Sequence, residues 1–277
     1  MNDETRPKAP QQGVKAADSA FRILEAVAFA NDPINLTEIA RQLGMSKAGV
    51  FRYLKSLLER GYIVQNRNTM RYRLGPRAYA LGHHAPVGGD LIEAAEGPMR
   101  NLLVTTGLTT VLGAPAPDGV IVMRAFAGIR GMGLQVWPGQ VLRPLNALAH
   151  GKLVLVFGPD DYRARIFAAP LEAKTPKTIT DHDQLRHELE RTKRAGYAVS
   201  PEEYRLGVGT LAAPIFGSGD ELLGTIALVS FIQDVPAEPE PALIRAVLET
   251  AAEISNLVRN AAGFSTTTGG SRNRSPR

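Results

Sequence analysis

Residues 36–61 read LTEIARQLGMSKAGVFRYLKSLLERG, and this stretch decides the amino-terminal fold. It divides into two short apolar-periodic runs about a glycine. In the first, Ile39, Ala40 and Leu43 make one stripe, and Thr37 stands where a helix cap belongs. Gly44 supplies the freedom for a tight turn, with Met45 beneath it. Ser46 caps the second run, whose Val50, Leu54, Leu57 and Leu58 share one helical face. Gly61 stands where a helix end wants a left-handed residue. The opposite face carries Lys47, Gly49, Phe51, Arg52 and Lys55. Two capped helices with a tight turn and a basic outer face predict a helix-turn-helix, the arrangement that offers a helix to the DNA major groove.

Working outward, Ala16 to Phe29 predicts a preceding helix, with Asp18 as cap and Phe21, Ile23, Leu24, Val27 and Ala28 as its stripe. After Gly61, Tyr62 to Val64 reads as a strand, QNRNT as a polar turn, and Tyr72 to Leu74 as the returning strand. The hairpin turns the module into a winged helix. Arg67 and Arg71 near its tip are placed to reach phosphates or the minor groove. In the second helix, Lys47, Ala48, Gly49, Phe51 and Arg52 lie at the end that meets base edges. Arg52 suits a guanine edge or a phosphate, Phe51 a thymine methyl, and Lys47 and Lys55 phosphates. Tyr53 is expected to pack on the first helix. The competing reading of the basic face is a merely solvated surface.

Charge favours the first reading. Residues 14–77 hold 11 basic against 5 acidic side chains, whereas residues 98–262 hold 16 against 17. The positive charge thus sits on the segment that would neutralise phosphates. The 277 residues, 44% of them hydrophobic, suffice for two domains. The absence of cysteine excludes disulfides and thiolate metal sites and fits a reducing compartment. There is no apolar run of about 18 residues and the opening MNDETRPKAPQQG is polar, so the expected location is cytoplasmic, without a membrane.

The organisation expected is a disordered stretch over 1–13, a winged helix-turn-helix over 14–77, and a linker helix region over 78–106. An effector-binding domain over 107–262 and a disordered tail over 263–277 follow. In the linker, Arg77–His83 and Leu91–Thr106 read as helical and His84–Asp90 as a break. Beyond it, Thr109–Leu112, Val120–Phe126, Gly133–Val136, Tyr197–Val199, Gly209–Ile215 and Leu222–Phe231 read as strands. Asn146–Phe157, Tyr162–Phe167, Asp181–Ala195 and Pro241–Asn260 read as helices. The class is α+β, a sheet flanked by helices on at least one face.

Three motifs in order carry a family resemblance. The run TMRYRLGPRAYALG ends the wing, RPLNALAHGK covers Arg143 to Lys152, and GYAVSPEEYRLGVGTLAAPIF covers Gly196 to Phe216. Together they resemble the IclR-type transcriptional regulators over residues 14–260. The resemblance implies a winged helix-turn-helix joined to a GAF/PAS-like effector-binding domain. It also implies a double-stranded DNA operator, control of catabolic genes, and an organic or aromatic acid effector bound by a homodimer or dimer of dimers. The effector contacts it implies fall on Leu145, Ala149, His150, Val208, Thr210, Ala227 and Val229. The start of the Ala149 helix offers free N–H groups to a carboxylate, and His150 a further donor. Thr225, Ala227 and Val229 should share one strand face. Thr210 stands where the family often has cysteine, Ala227 and Val229 where serine is common, and Ser200-Pro201 where acids are usual. The loss of polar groups favours a larger or more apolar acid over a two- or three-carbon one.

No catalytic constellation is present: no G-x-S-x-G, no P-loop, and no glycine-rich loop opening a helix. GIRGMG at 128–133 lies between strands. Glu202 and Glu203 are adjacent and read as structural, and His83 and His84 lack a third ligand, so no metal and no cofactor is expected. The alternative to a regulator is a metabolite-binding enzyme with a winged helix as docking module.

Overall fold

The protein is described by a computed structural model at residues 14–30, 32–83, 86–130 and 136–267, and its chain forms two compact units that meet in sequence at Ala85 and Pro86. Residues 1–13, the strand expected at Gly133–Val136 as far as residue 135, and the tail from 268 lie outside the described residues.

The first unit runs α1 (Lys15–Ala28), α2 (Leu36–Leu43), α3 (Lys47–Glu59), β1 (Ile63–Gln65), β2 (Tyr72–Leu74) and α4 (Pro76–His83). Its core is the apolar stripes met edge to edge: Ile23, Val27, Ile39, Val50, Leu54, Ile63 and Tyr72 are all buried, with Tyr53 packed against them. Two expected caps differ. Asn35, not Thr37, caps α2; its side chain accepts from the Glu38 amide at 3.0 Å while the Glu38 carboxylate accepts from the Asn35 amide at 2.9 Å. The reciprocal box satisfies two end donors, which a threonine inside the first turn cannot do. Asp18 likewise lies inside the first turn of α1, whose cap position is Val14. Ser46 caps α3 through the Gly49 amide, and Gly44 takes the left-handed conformation at φ 64°.

The wing is braced. Ile34 exchanges backbone hydrogen bonds with Tyr72, at 3.1 and 2.7 Å, adding a bridge beside β2. Asn66 folds the tip by accepting from the amides of Asn68 and Thr69.

The second unit holds α5 (Pro86–Thr106), β3 (Thr109–Ala116), β4 (Gly119–Phe126), β5 (Val141–Leu142), α6 (Ala149–Phe157), α7 (Asp160–Phe167), α8 (His182–Ala195), β6 (Ala198–Pro201), β7 (Val208–Phe216), β8 (Leu222–Phe231) and α9 (Pro241–Thr267). The strands form one antiparallel sheet in the order β5-β4-β3-β8-β7-β6. Alternation sorts its faces. Leu112, Leu211, Ala213, Ile215, Ile226 and Leu228 join the core with α5 and α9. Val111, Ala212, Ala227 and Val229 belong to clusters on the other side, where Ala149 and Leu153 of α6 pack. Helix α5 begins at Pro86, so Pro86–Asp90, expected as a break, is helical, while His84 and Ala85 lie outside the described residues. Helix α9 continues past the expected end at Asn260.

The helix expected over Asn146–Phe157 is two pieces. A 3-10 turn at Leu145–Ala147 ends in an extended Leu148, and α6 starts afresh. The buried Asn146 amide pulls the turn out of line by donating to the carbonyls of Glu172 and Ile179, at 3.0 and 2.9 Å.

Lys152 on α6 is fully buried, and its ammonium donates to Glu203 at 2.7 Å, to Glu188 at 3.1 Å and to the Val199 carbonyl at 2.8 Å. The pairing joins α6, α8, β6 and the loop after β6. Burial pushes the Glu203 carboxyl up, and Lys152 pulls it back. Replacing Lys152 with Met keeps volume but strands Glu203 without a counter-charge. The expected loss is about 3–5 kcal/mol of unfolding free energy, read by denaturant titration. A loss below about 1 kcal/mol would show that the pair is dispensable.

Candidate functional site

Helix α3 presents Lys47, Ala48, Phe51, Arg52 and Lys55 on one exposed face, with Gly49 half-buried among them. Ser46 places that face by starting the helix, and Val50, Leu54 and Leu57 fix its rotation by facing the core. Phe51 is 55% exposed, a large apolar side chain held in water. Among the described residues, Lys47, Arg52, Arg67 and Arg73 have no acidic partner, and Lys55 makes only a loose, exposed pair with Glu59 at 3.9 Å.

Arg71 is different from its neighbours. Its guanidinium donates to the Pro33 carbonyl at 2.6 Å and to Glu38 at 3.2 Å. Glu38 is held below its ordinary range by the Asn35 amide and, after the opposing effect of burial, by Arg71. The arginine expected to touch phosphate therefore braces the wing against α2. Arg73, exposed on β2, is an unpaired cation on the wing that the sequence reading passed over.

In the second unit a cavity of about 90 Å³ lies between the sheet face and the start of α6. Apolar walls come from Val111, Leu142, Leu148, Val208 and Val229; polar lining comes from Gln140, His150, Ser200, Tyr204, Arg205 and Thr210. Of the expected effector contacts, His150, Val208, Thr210 and Val229 meet here. Leu145, Ala149 and Ala227 do not line the cavity: Ala149 and Ala227 are fully buried in the seam between α6 and the sheet, and Leu145 packs with Val154, Leu155 and Leu185. The seam takes the small side chains because they let the helix approach the strands closely.

His150 is 2% exposed, and its Nδ1 lies 2.7 Å from the Thr225 hydroxyl. Burial lowers its pKa to about 4, so the ring is neutral at physiological pH. Gly113 makes the room: a Cβ there would stand 2.6 Å from Val120 Cγ1 and 3.2 Å from both His150 Nδ1 and Thr225 Oγ1. Ser200 is spent internally, donating to the Ala147 carbonyl at 2.7 Å. Tyr204 and Arg205 reach the mouth from the loop between β6 and β7. That loop is fixed by the Glu203–Lys152 pair, by the Thr175 hydroxyl donating to the Glu202 carbonyl and by that of Thr178 donating to the Glu203 carbonyl. Arg205 is exposed and, among the described residues, has no acidic partner. The cavity is thus more polar than the sequence reading has it. Gln140 carried no signal in sequence; Tyr204 and Arg205 followed the paired glutamates in a run that reads as an ordinary polar loop.

Two family profiles match the chain: the IclR helix-turn-helix domain over residues 16–67, and the bacterial transcriptional regulator IclR C-terminal domain over residues 83–256. The chain belongs to the IclR family. It is a DNA-binding transcriptional regulator of that type, with the winged helix as its DNA module. Among similar proteins is the HTH-type transcriptional regulator BhcR of Paracoccus denitrificans, 30% identical over 247 residues that span 88% of this chain and 87% of that one. KdgR of Escherichia coli is 28% identical over 73% of this chain and 77% of its own. The crystal structure of an IclR regulator from Alicyclobacillus acidocaldarius superposes with a TM-score of 0.74 at 26% identity, covering 89% of this chain and all of that one. An IclR homolog from Microbacterium hydrocarbonoxydans, complexed with 4-hydroxybenzoate, shares the fold at a TM-score of 0.76 and 20% identity, covering 88% of this chain and 99% of that one.

In this IclR regulator no helix among the described residues is long and apolar enough to cross a membrane, and no group of three or more His, Asp or Glu side chains among them could hold a metal ion. Two outcomes follow from the geometry. Alanine at Arg52 should weaken operator binding by roughly 1–3 kcal/mol in a titrated gel shift if the guanidinium meets a base; an unchanged midpoint would remove Arg52 from the reading set. The His150 ring binds its proton more readily when unfolded, between its ordinary pKa of 6.5 and its folded value of about 4. Stability should therefore fall as pH drops through that window, by up to about 3 kcal/mol at the acid end. His150→Leu should flatten that part of the melting-temperature profile; an identical acid profile in the variant would refute the assignment.

Proposed function

We propose that a small carboxylic acid binds in the cavity of the second unit and alters the operator affinity of the winged helix, controlling genes for that acid's breakdown. The observation that carries the reading is Arg205: an exposed guanidinium that lines the cavity and, among the described residues, has no acidic partner. A planar fork of donors suits a carboxylate. The apolar walls of Val111, Leu142, Leu148 and Val229 suit a short carbon skeleton. The volume is below the roughly 150 Å³ of an apolar cavity that takes up benzene, so the buried body is compact and its charged end lies towards the mouth. The amides opening α6 have no carbonyl partners within the helix and add a second attraction for negative charge. On the DNA side, Lys47, Ala48, Gly49, Phe51, Arg52 and Lys55, with Arg67 and Arg73 on the wing, form the contact surface. A homodimer or dimer of dimers places two such surfaces on paired half-sites.

Coupling between acid and operator is reciprocal by thermodynamic linkage. The test titrates the native upstream fragment with and without a panel of short and aromatic carboxylic acids. At least one acid should shift operator affinity, and operator DNA should shift the affinity for that acid by the same factor. Arg205→Ala should leave operator binding in the absence of acid unchanged and weaken the acid response about ten-fold or more. A response equal in wild type and Arg205→Ala would overturn the assignment of the carboxylate to Arg205.

A further inference from the structure

Among the described residues, seven buried side-chain atoms have no hydrogen-bond partner, and two of them belong to residues lining the cavity: His150 Nε2 and Gln140 Oε1. The other five belong to Thr110, Arg124, Asn146, Thr192 and Glu203, none of which lines it. Buried polar atoms are normally satisfied, so a pair of orphans on one small cavity marks where a ligand's own polar group belongs. The two orphans also restrict the chemistry of that group.

A carboxamide oxygen only accepts, so the group facing Gln140 Oε1 must donate. A neutral imidazole with Nδ1 engaged to Thr225 leaves Nε2 as either a lone pair or an N–H, according to which way the Thr225 hydroxyl points. When the Thr225 hydroxyl donates to Nδ1, Nε2 is an N–H, and one ligand hydroxyl then fills both orphans, accepting from His150 and donating to Gln140; in the other tautomer its single proton fills one of them. A keto oxygen cannot donate to Gln140, and a bare methyl or ring edge leaves both orphans unpaired. A second carboxylate has no further cation in the lining, since Arg205 is the one cation there among the described residues and Lys152 is consumed by Glu203 and Glu188.

We infer that the effector carries a hydroxyl in addition to its carboxylate, and that His150 and Gln140 are the residues that select it. The inference rests on the carboxylate reading proposed for Arg205. Thr225 is the positioning residue: it holds the ring through Nδ1 and does not itself line the cavity.

The test is calorimetric titration of the full chain with two matched pairs, 4-hydroxybenzoate against benzoate and lactate against propionate. In at least one pair the hydroxy acid should bind about ten-fold tighter, the effect of pairing otherwise unmet buried groups. His150→Leu should bring the two members of that pair to within about two-fold of each other. Gln140→Leu, at a half-exposed position, supplies a second readout should His150→Leu melt early. Equal binding within both pairs, or a preference retained in both variants, would overturn the hydroxyl inference and leave the carboxylate reading standing. Failure of all four acids to bind at millimolar concentration would instead sink the carboxylate reading together with the inference built on it.

Discussion

The second unit is organised around one buried cation. An ammonium taken fully out of water is strongly disfavoured unless its donors are filled, and Lys152 fills all three, on Glu203, Glu188 and the Val199 carbonyl. Those partners come from a helix, the strand that follows it and the next loop, 36 to 51 residues further along the chain than Lys152. The arrangement is closed from outside by Arg191, which donates to both oxygens of Glu188 at 2.8 and 2.7 Å. Once the Lys152 network has formed, the loop after β6 has little freedom: Glu202 sits at φ 60°, Gly207 at φ 77°, and the Glu202 carboxylate accepts from the Gly207 amide. Tyr204 and Arg205 are presented to the cavity mouth from that fixed loop. His150, two residues before Lys152 on the same helix, points to another side, because successive helical positions differ by about 100°. One turn of α6 therefore supplies both the strut and the cavity wall.

The amino-terminal unit was the more legible half. Its helices obey the 3.6 period, its turn glycine is necessary, and its hairpin is bounded by polar residues, so local rules and tertiary packing agree. The misread cap is instructive. Thr37 and Asn35 both have the chemistry, and only Asn35 is followed three residues later by a glutamate able to return the bond. The second unit was legible in its long strands and in α8, with its Asp181 cap and Gly196 end. It was least legible where a role depends on a partner remote in sequence. The two-residue β5 has no periodicity to detect, and Asn146 breaks a helical run by reaching 33 residues ahead. Ala149 and Ala227 were expected at the ligand because the resemblance brings those positions near it. Their smallness has a plainer use in letting α6 lie against β7 and β8.

Counting charges along a sequence treats every cation as available, and folding subtracts from the count. Arg71 is drawn back into its own unit by Glu38, and the same carboxylate closes the α2 capping box. One acid thus sets both where the helix begins and how the wing leans on it. Among the described residues, the cations of this surface left without an acidic partner are Lys47, Arg52, Arg67 and Arg73, distributed over the helix and the hairpin. A basic segment points to a surface, but its sum overstates the number of phosphates that surface could neutralise.

The two kinds of recognition proposed for the cavity fall on residues that differ in exposure, and desolvation explains why. A guanidinium buried as deeply as His150 would need a permanent counter-charge and would then have nothing left for a ligand; the exposed Arg205 stays hydrated until the anion proposed for it arrives. The buried part of the lining uses a neutral group instead, the His150 imidazole. A neutral imidazole costs far less to bury than its protonated form, which is why the His150 pKa falls and why Gly113 must lack a side chain beside it. Neutral orphans discriminate sharply all the same. A ligand lacking the complementary group leaves them as unpaired as before, whereas one that supplies it gains hydrogen bonds in a low-dielectric site. On the proposed reading, affinity for charge and selectivity for hydroxylation reside in different residues, so substitution at one should tune the response without abolishing the other.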